Sequence, residues 1–199
     1  MAVNSLSITK RAGALVKTKG FTLVELVVGM VVLSIALVML TSMLFPQADR
    51  AAETLHRVRS AELAHSVMNE IWGKRYDQNT NPNGGIPACG ASPRSDLGLP
   101  KGDDCTTPGN LGPDTGENRN SYNDVDDYHG LNQNSLMLNA ATSTDTYASR
   151  YPNYLLAVAV TYSNTLDLNG KLIKAKLITV TVTTPSGEKI VYNAVRSNY

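Results

Sequence analysis

"KTKGFTLVELVVGM", residues 17–30, decides the fold. Lys17, Lys19 and Gly20 lead straight into an apolar run that keeps one carboxylate, Glu25, near its start. Followed downstream the run is "FTLVELVVGMVVLSIALVMLTSMLF", Phe21 to Phe45, and Glu25 is its only charge. At 1.5 Å per residue a helix of that length covers roughly 37 Å, enough to cross a hydrocarbon core of about 30 Å with some tilt. Its valines, isoleucines and threonines are no obstacle, because lipid forces a backbone to satisfy its hydrogen bonds internally.

The flanks orient the span. Lys10, Arg11, Lys17 and Lys19 precede it, and no acidic residue occurs before Glu25. Basic residues stay on the cytoplasmic side, so the N-terminus is expected inside and the C-terminal remainder exported. A cleaved secretory signal would have a shorter apolar core ending at a small-residue site, and no acid at its start. A core helix apolar all round would need more protein around it than this chain supplies. A plain single-span anchor fits the hydropathy but leaves Glu25 unexplained.

Pro46 follows the run, and its missing N–H and steric clash predict a kink or interruption there. Residues 47–75, "QADRAAETLHRVRSAELAHSVMNEIWGKR", then read as an amphipathic helix. Ala51, Leu55, Val58, Ala61, Ala64, Met68 and Ile71 recur at helical spacing, and Gly73 is the stop. Residues 76–147 lose periodicity in favour of Asn, Asp, Gly, Pro and Ser, a long irregular connection with one or two short elements. Three strands are expected after it. In 154–163 Leu156, Val158 and Val160 share a face. In 171–184 Ile173, Ala175 and Leu177 hold one parity, and Ile178, Val180 and Val182 the other, which predicts a bulge near Leu177. Residues 189–195 form the third. "NG" at 169–170 and "PSG" at 185–187 supply hairpin turns. An antiparallel meander needs an apolar cover, and the Leu55/Val58/Met68 stripe is available. The fold class is therefore α+β.

At 199 residues and a formal net charge of +1, the chain has room for one modest domain plus a tail, and no charge excess to favour nucleic acid. Its two cysteines, Cys89 and Cys105, lie in the irregular region. If exported they can form one disulfide, worth about 3 kcal/mol by loop entropy; free or metal-bound thiols are the alternative.

The segment Gly20–Phe21–Thr22–Leu23–Val24–Glu25, between a basic leader and about twenty apolar residues, resembles the class III signal of type IV pilins and pseudopilins. The expected architecture, a long N-terminal helix, a variable loop and an antiparallel sheet, resembles the type IV pilin fold. "LFPQADRAAE", "EIWGKRYDQN" and "DVDDYHG" are similar to minor pilins of the mannose-sensitive haemagglutinin (MSHA) pilus system. The resemblance implies a cleaved leader at 1–20, a transmembrane and filament-core helix at 21–45, its amphipathic continuation at 46–75, an irregular loop region at 76–147 and the sheet of the head at 148–199. It implies cleavage between Gly20 and Phe21 by a prepilin peptidase, which also methylates the new amino group of Phe21. Glu25 is then an assembly residue, its carboxylate neutralising the terminal amine of a neighbouring subunit. The implied partners are that peptidase/methyltransferase, a major pilin, other minor pilins, the inner-membrane assembly platform and lipid, with no nucleic acid. The protein would sit in the inner membrane with its head in the periplasm and pass to an extracellular pilus that serves attachment. It departs from many relatives in having Pro46 at the end of the apolar helix and no cysteine among the last strands.

No catalytic residues and no cofactor are expected. "NDVDDYHG" (123–130) gathers Asp124, Asp126 and Asp127, but Tyr128 and His129 fill places where an EF-hand loop needs a ligand and a glycine. A looser calcium site on these aspartates competes with a solvated turn held by side-chain-to-backbone bonds. His56, His65 and His129 are too scattered for zinc, no serine lies on a nucleophile elbow, and Trp72 is expected to pack under the sheet. The reading is a minor pilin precursor, not an enzyme. A type II secretion pseudopilin shares every N-terminal feature, and a single-span periplasmic ligand-binding or adhesin protein would keep its leader uncleaved.

Overall fold

Side-chain hydroxyls first show how the apolar run manages its polar atoms. Within helix α1 (Leu23–Trp72), Ser34 Oγ donates to the Met30 carbonyl at 2.7 Å, Thr41 Oγ1 to that of Leu37 at 3.0 Å and Ser42 Oγ to that of Met39 at 2.8 Å. Each hydroxyl is satisfied within its own helix, which is what a hydrocarbon surrounding requires. The structure is a computed structural model that describes residues 20–163 and 175–198. They fall into two units that divide between Asp49 and Arg50. In the first unit every described residue is exposed, including Leu26, Val31, Leu37 and Phe45. α1 is long and apolar enough to cross a membrane by length and composition.

The interruption expected at Pro46 does not occur, since Pro46 lies inside α1. Proline removes one N–H and crowds the carbonyl four residues back, a local cost of about 3 kcal/mol, while bonds in the turns on either side remain. The helix ends at Trp72, just before Gly73.

In the second unit the remainder of α1 covers a three-stranded antiparallel sheet. β1 (Leu155–Ser163) pairs with β2 (Ala175–Thr183), and β2 with β3 (Lys189–Ser197), in the order β1-β2-β3. The helix contributes Leu63, Ala64, Val67 and Ile71 to the core, and the strands contribute Leu156, Val158, Val160, Ile178, Val180 and Val182. The expected inward faces of the first two strands are therefore present. The expected helix stripe holds at Ala64 and Ile71, which are buried, and at Met68, which packs against the core, but it is corrected further up: Leu55 and Val58 are 66% and 62% exposed, and Ser60, Leu63 and Val67 complete the buried face. Ser60, the polar member, is satisfied by the Arg57 carbonyl at 2.8 Å and by the Tyr192 hydroxyl at 3.1 Å. Trp72 is 48% exposed, with the Arg196 guanidinium 5.6 Å from its ring centroid, rather than packed under the sheet.

The bulge expected near Leu177 is absent. Thr161 pairs with Leu177 and Tyr162 with Lys176 in unbroken register. The parity change has another cause: Lys176 shares the inward face with Ile178, Val180 and Val182 and is fully buried. Ile173 and the Asn169–Gly170 turn lie outside the described residues. The second hairpin turns at 184–188, where Gly187 donates to the Thr184 carbonyl at 2.9 Å and takes φ +86°, a backbone that glycine adopts freely.

Between helix and sheet, the connection carries three short 3-10 turns and helix α2 (Tyr147–Arg150). It packs Val125, Tyr128, Leu131 and Tyr147 into the core. It also covers the outer edge of β1: Val158 N–H donates to the Leu131 carbonyl at 2.9 Å, Gly130 N–H to the Val158 carbonyl at 3.0 Å, and Val160 N–H to His129 Nδ1 at 3.1 Å. Covering an edge removes a template for unwanted strand pairing.

Candidate functional site

The residues singled out in the sequence belong to both units. In the first, Thr22 precedes the first turn of α1 and its Oγ1 accepts from the Glu25 N–H at 3.2 Å. Thr22 and Glu25 have the threonine-x-x-glutamate spacing of a capping box, and an acid in the first turn favours the positive end of the helix dipole. Helix initiation thus places Glu25 about one turn beyond Phe21. Phe21 is 82% exposed, and a Cβ added at Gly20 would meet nothing within 4 Å. Packing among the described residues gives no reason for glycine at position 20. Among the described residues the Glu25 carboxylate has no ion-pair partner.

In the second unit Cys89 and Cys105 are joined in a disulfide. The loop it closes packs closely, because a Cβ at Gly102 would collide with the backbone carbonyl of Ala88. Asn198, just past β3, donates from Nδ2 to the Cys89 carbonyl at 2.8 Å and so ties the chain end to this loop. Asp77 approaches the two sulfurs, with the nearest atoms of the three within 4.8 Å of one another.

Asp124, Asp126 and Asp127 are buried, which corrects the expectation of a solvated turn. The side-chain-to-backbone bonds of such a turn are present. Asp124 Oδ1 accepts from the Asp126 N–H at 2.9 Å, and Asp127 Oδ2 from the N–H groups of Asn123 at 2.7 Å and Asp124 at 3.0 Å. Burial, then a hydrogen bond with Asp126 and its charge, push Asp124 up to about 8. Burial pushes Asp127 up to about 6. The positive charge of the cluster comes from a residue the sequence reading passed over. Lys176 Nζ donates to Asp126 Oδ1 at 2.5 Å, Asp77 Oδ2 at 2.9 Å and the Tyr76 carbonyl at 2.8 Å. Its ammonium lies 4.6 Å from the Tyr76 ring centroid and 5.6 Å from that of Tyr162. Lys176 therefore already engages Asp126, one of the three carboxylates that a calcium ion would use. The one signal in the sequence was the parity break itself, read there as a bulge.

The comparisons with known proteins bear on the first unit. Residues 16–41 match the family model described as the prokaryotic N-terminal methylation motif. No curated protein and no solved structure matches the chain. The matched segment contains Gly20, Phe21 and Glu25 and is a type IV pilin-like signal, which points to a type IV pilin or pseudopilin precursor. Taken with the apolar helix, it suggests a membrane-anchored single-pass protein.

Proposed function

We propose that the chain is the precursor of a minor pilin of a type IV pilus, and at finer grain one of the MSHA type that serves surface attachment. The observation that carries this reading is the coincidence, within residues 16–41, of the methylation motif, an exposed Gly20–Phe21 junction and an acid in the first turn of an apolar helix. Prepilin peptidase cuts between Gly20 and Phe21, where the lack of a side chain at Gly20 suits a narrow protease subsite, and methylates Phe21. The protein is a substrate and a building block, not an enzyme. Its head folds in the periplasm, where a Cys89–Cys105 disulfide persists.

Cleavage frees an amine at Phe21, a cation at the edge of lipid, with Glu25 one turn deeper. An ionised carboxylate inside a bilayer costs a few kcal/mol without a partner. In a filament, the Glu25 carboxylate of an incoming subunit meets the terminal amine of its neighbour, and wrong register leaves the acid buried and unpaired. Assembly selects the register that pairs them. The test is a Glu25→Gln protein expressed beside its own pilus system. It is expected to insert and be cleaved but to be missing from sheared filaments, and incorporation equal to wild type contradicts the assembly role.

A further inference from the structure

We infer that Lys176 and Asp126 form an intramolecular isopeptide bond, joining β2 covalently to the 76–147 connection. Lys176 Nζ hydrogen-bonds Asp126 Oδ1 at 2.5 Å, which sets the amine beside the Asp126 carboxyl, and Lys176 is completely buried. Fixing an amine and a carboxyl in a dry pocket removes the orientational cost of their condensation. Burial also supplies a driving force. Two charges out of water carry a desolvation penalty that a neutral amide does not.

The surrounding groups provide the proton transfers. Asp77 Oδ2 accepts from Lys176 Nζ at 2.9 Å, and its carboxylate is held by Thr106, whose N–H and hydroxyl both donate to it. Asp77 is placed to take a proton from the ammonium, leaving a nucleophilic amine. On the other side Asp124 shares a hydrogen bond with Asp126 and holds a proton near neutrality, since burial and the Asp126 carboxylate raise it to about 8. Nζ attacks Cγ of Asp126, a new C–N bond forms, one C–O bond breaks, and the departing oxygen leaves as water with protons delivered by the acids. The sum is ammonium plus carboxylate giving amide plus water, with no oxidant, reductant or second substrate. The inference stands on the second unit alone and does not depend on the proposed function.

The test is mass spectrometry of the full-length protein extracted in detergent, with the disulfide reduced and alkylated. The expected intact mass is lighter than the chain by one water, and a tryptic digest contains a branched peptide joining Lys176 to Asp126 with cleavage after Lys176 lost. Asp126→Ala restores the missing water, and Asp77→Asn prevents its loss although both partners remain. A wild-type protein of full mass, cut normally after Lys176, overturns the inference whatever the variants do. A branch that runs to Asp77 instead overturns the assignment of Asp126.

Discussion

Arg119 holds Glu70 in a two-bonded fork, Nη1 to Oε1 at 2.6 Å and Nη2 to Oε2 at 2.7 Å, and so ties the irregular connection to α1. Tyr128 hydroxyl donates to the same Oε1 at 2.7 Å, and Arg119 Nη2 also donates to the Tyr147 hydroxyl at 2.9 Å. Both charged side chains are nearly buried, at 6% and 12% exposure, so neither tolerates loss of the other. Glu70→Ala or Arg119→Ala is expected to destabilise the folded head by about 3–5 kcal/mol, because each leaves a buried charge unpaired. The double substitution is expected to cost less than the two single costs added. Urea denaturation of the detergent-extracted proteins measures all three, and simple additivity would show that the pair is not coupled.

The helix face makes a second prediction. Leu63 is in the core, whereas Leu55 and Val58 are exposed. Leu63→Ala is expected to cost about 2–5 kcal/mol. Leu55→Ala and Val58→Ala should stay within about 0.5 kcal/mol, as for ordinary surface positions. Comparable losses at Leu55 and Leu63 would return the buried face to the one expected from spacing.

Those positions show what could be read in advance. The apolar span, the three strands and the inward parity of β1 follow from patterns in which each apolar residue votes the same way. The helix face was read correctly at Ala64, Met68 and Ile71 but misplaced at Leu55 and Val58, because apolar residues are too plentiful there: Leu55, Val58, Leu63 and Val67 cannot all face the sheet, and spacing alone does not choose. The choice is made by partners distant in sequence, such as Tyr192 bonding to Ser60 at 3.1 Å. Lys176 escaped notice for a related reason. A lysine in a strand normally points to water. Its burial requires Asp77 and Asp126, which lie far earlier in the chain. The methylation motif that contains Gly20, Phe21 and Glu25 was legible because its pattern is local.

Acidity supplies a third prediction. Asp124, raised to about 8, and Asp127, raised to about 6, both lie above their ordinary value of 3.8. The folded head therefore keeps protons that the unfolded chain releases. Their contribution is fully present below about pH 4 and is lost as pH rises through 6 and then 8, on the order of 1 kcal/mol per pH unit. Asp127→Asn does not titrate and is expected to flatten the part of that decline around pH 6. Urea midpoints at about pH 5 and about pH 7 for both proteins decide it, and an equal slope in the variant would remove Asp127 as the cause.

The disulfide carries a fourth. Cys89 and Cys105 are separated by 16 positions, so cross-linking them restricts the unfolded chain by about 3 kcal/mol in the loop-entropy account. Reduction, or Cys89→Ser with Cys105→Ser, is expected to lower stability by that order. The loss should fall first on the loop around Gly102 and Asn198, read as faster amide exchange there. Unchanged exchange at these residues would make the bond incidental to the fold.

Processing at the Gly20–Phe21 junction is the claim from which the rest of the functional account follows. Edman sequencing with mass measurement on protein recovered from sheared filaments, compared with protein from cells lacking the prepilin peptidase, tests it most directly. The account predicts a chain beginning at N-methylated Phe21 in the first sample and an intact leader in the second. A filament-derived chain that begins at any other residue contradicts it.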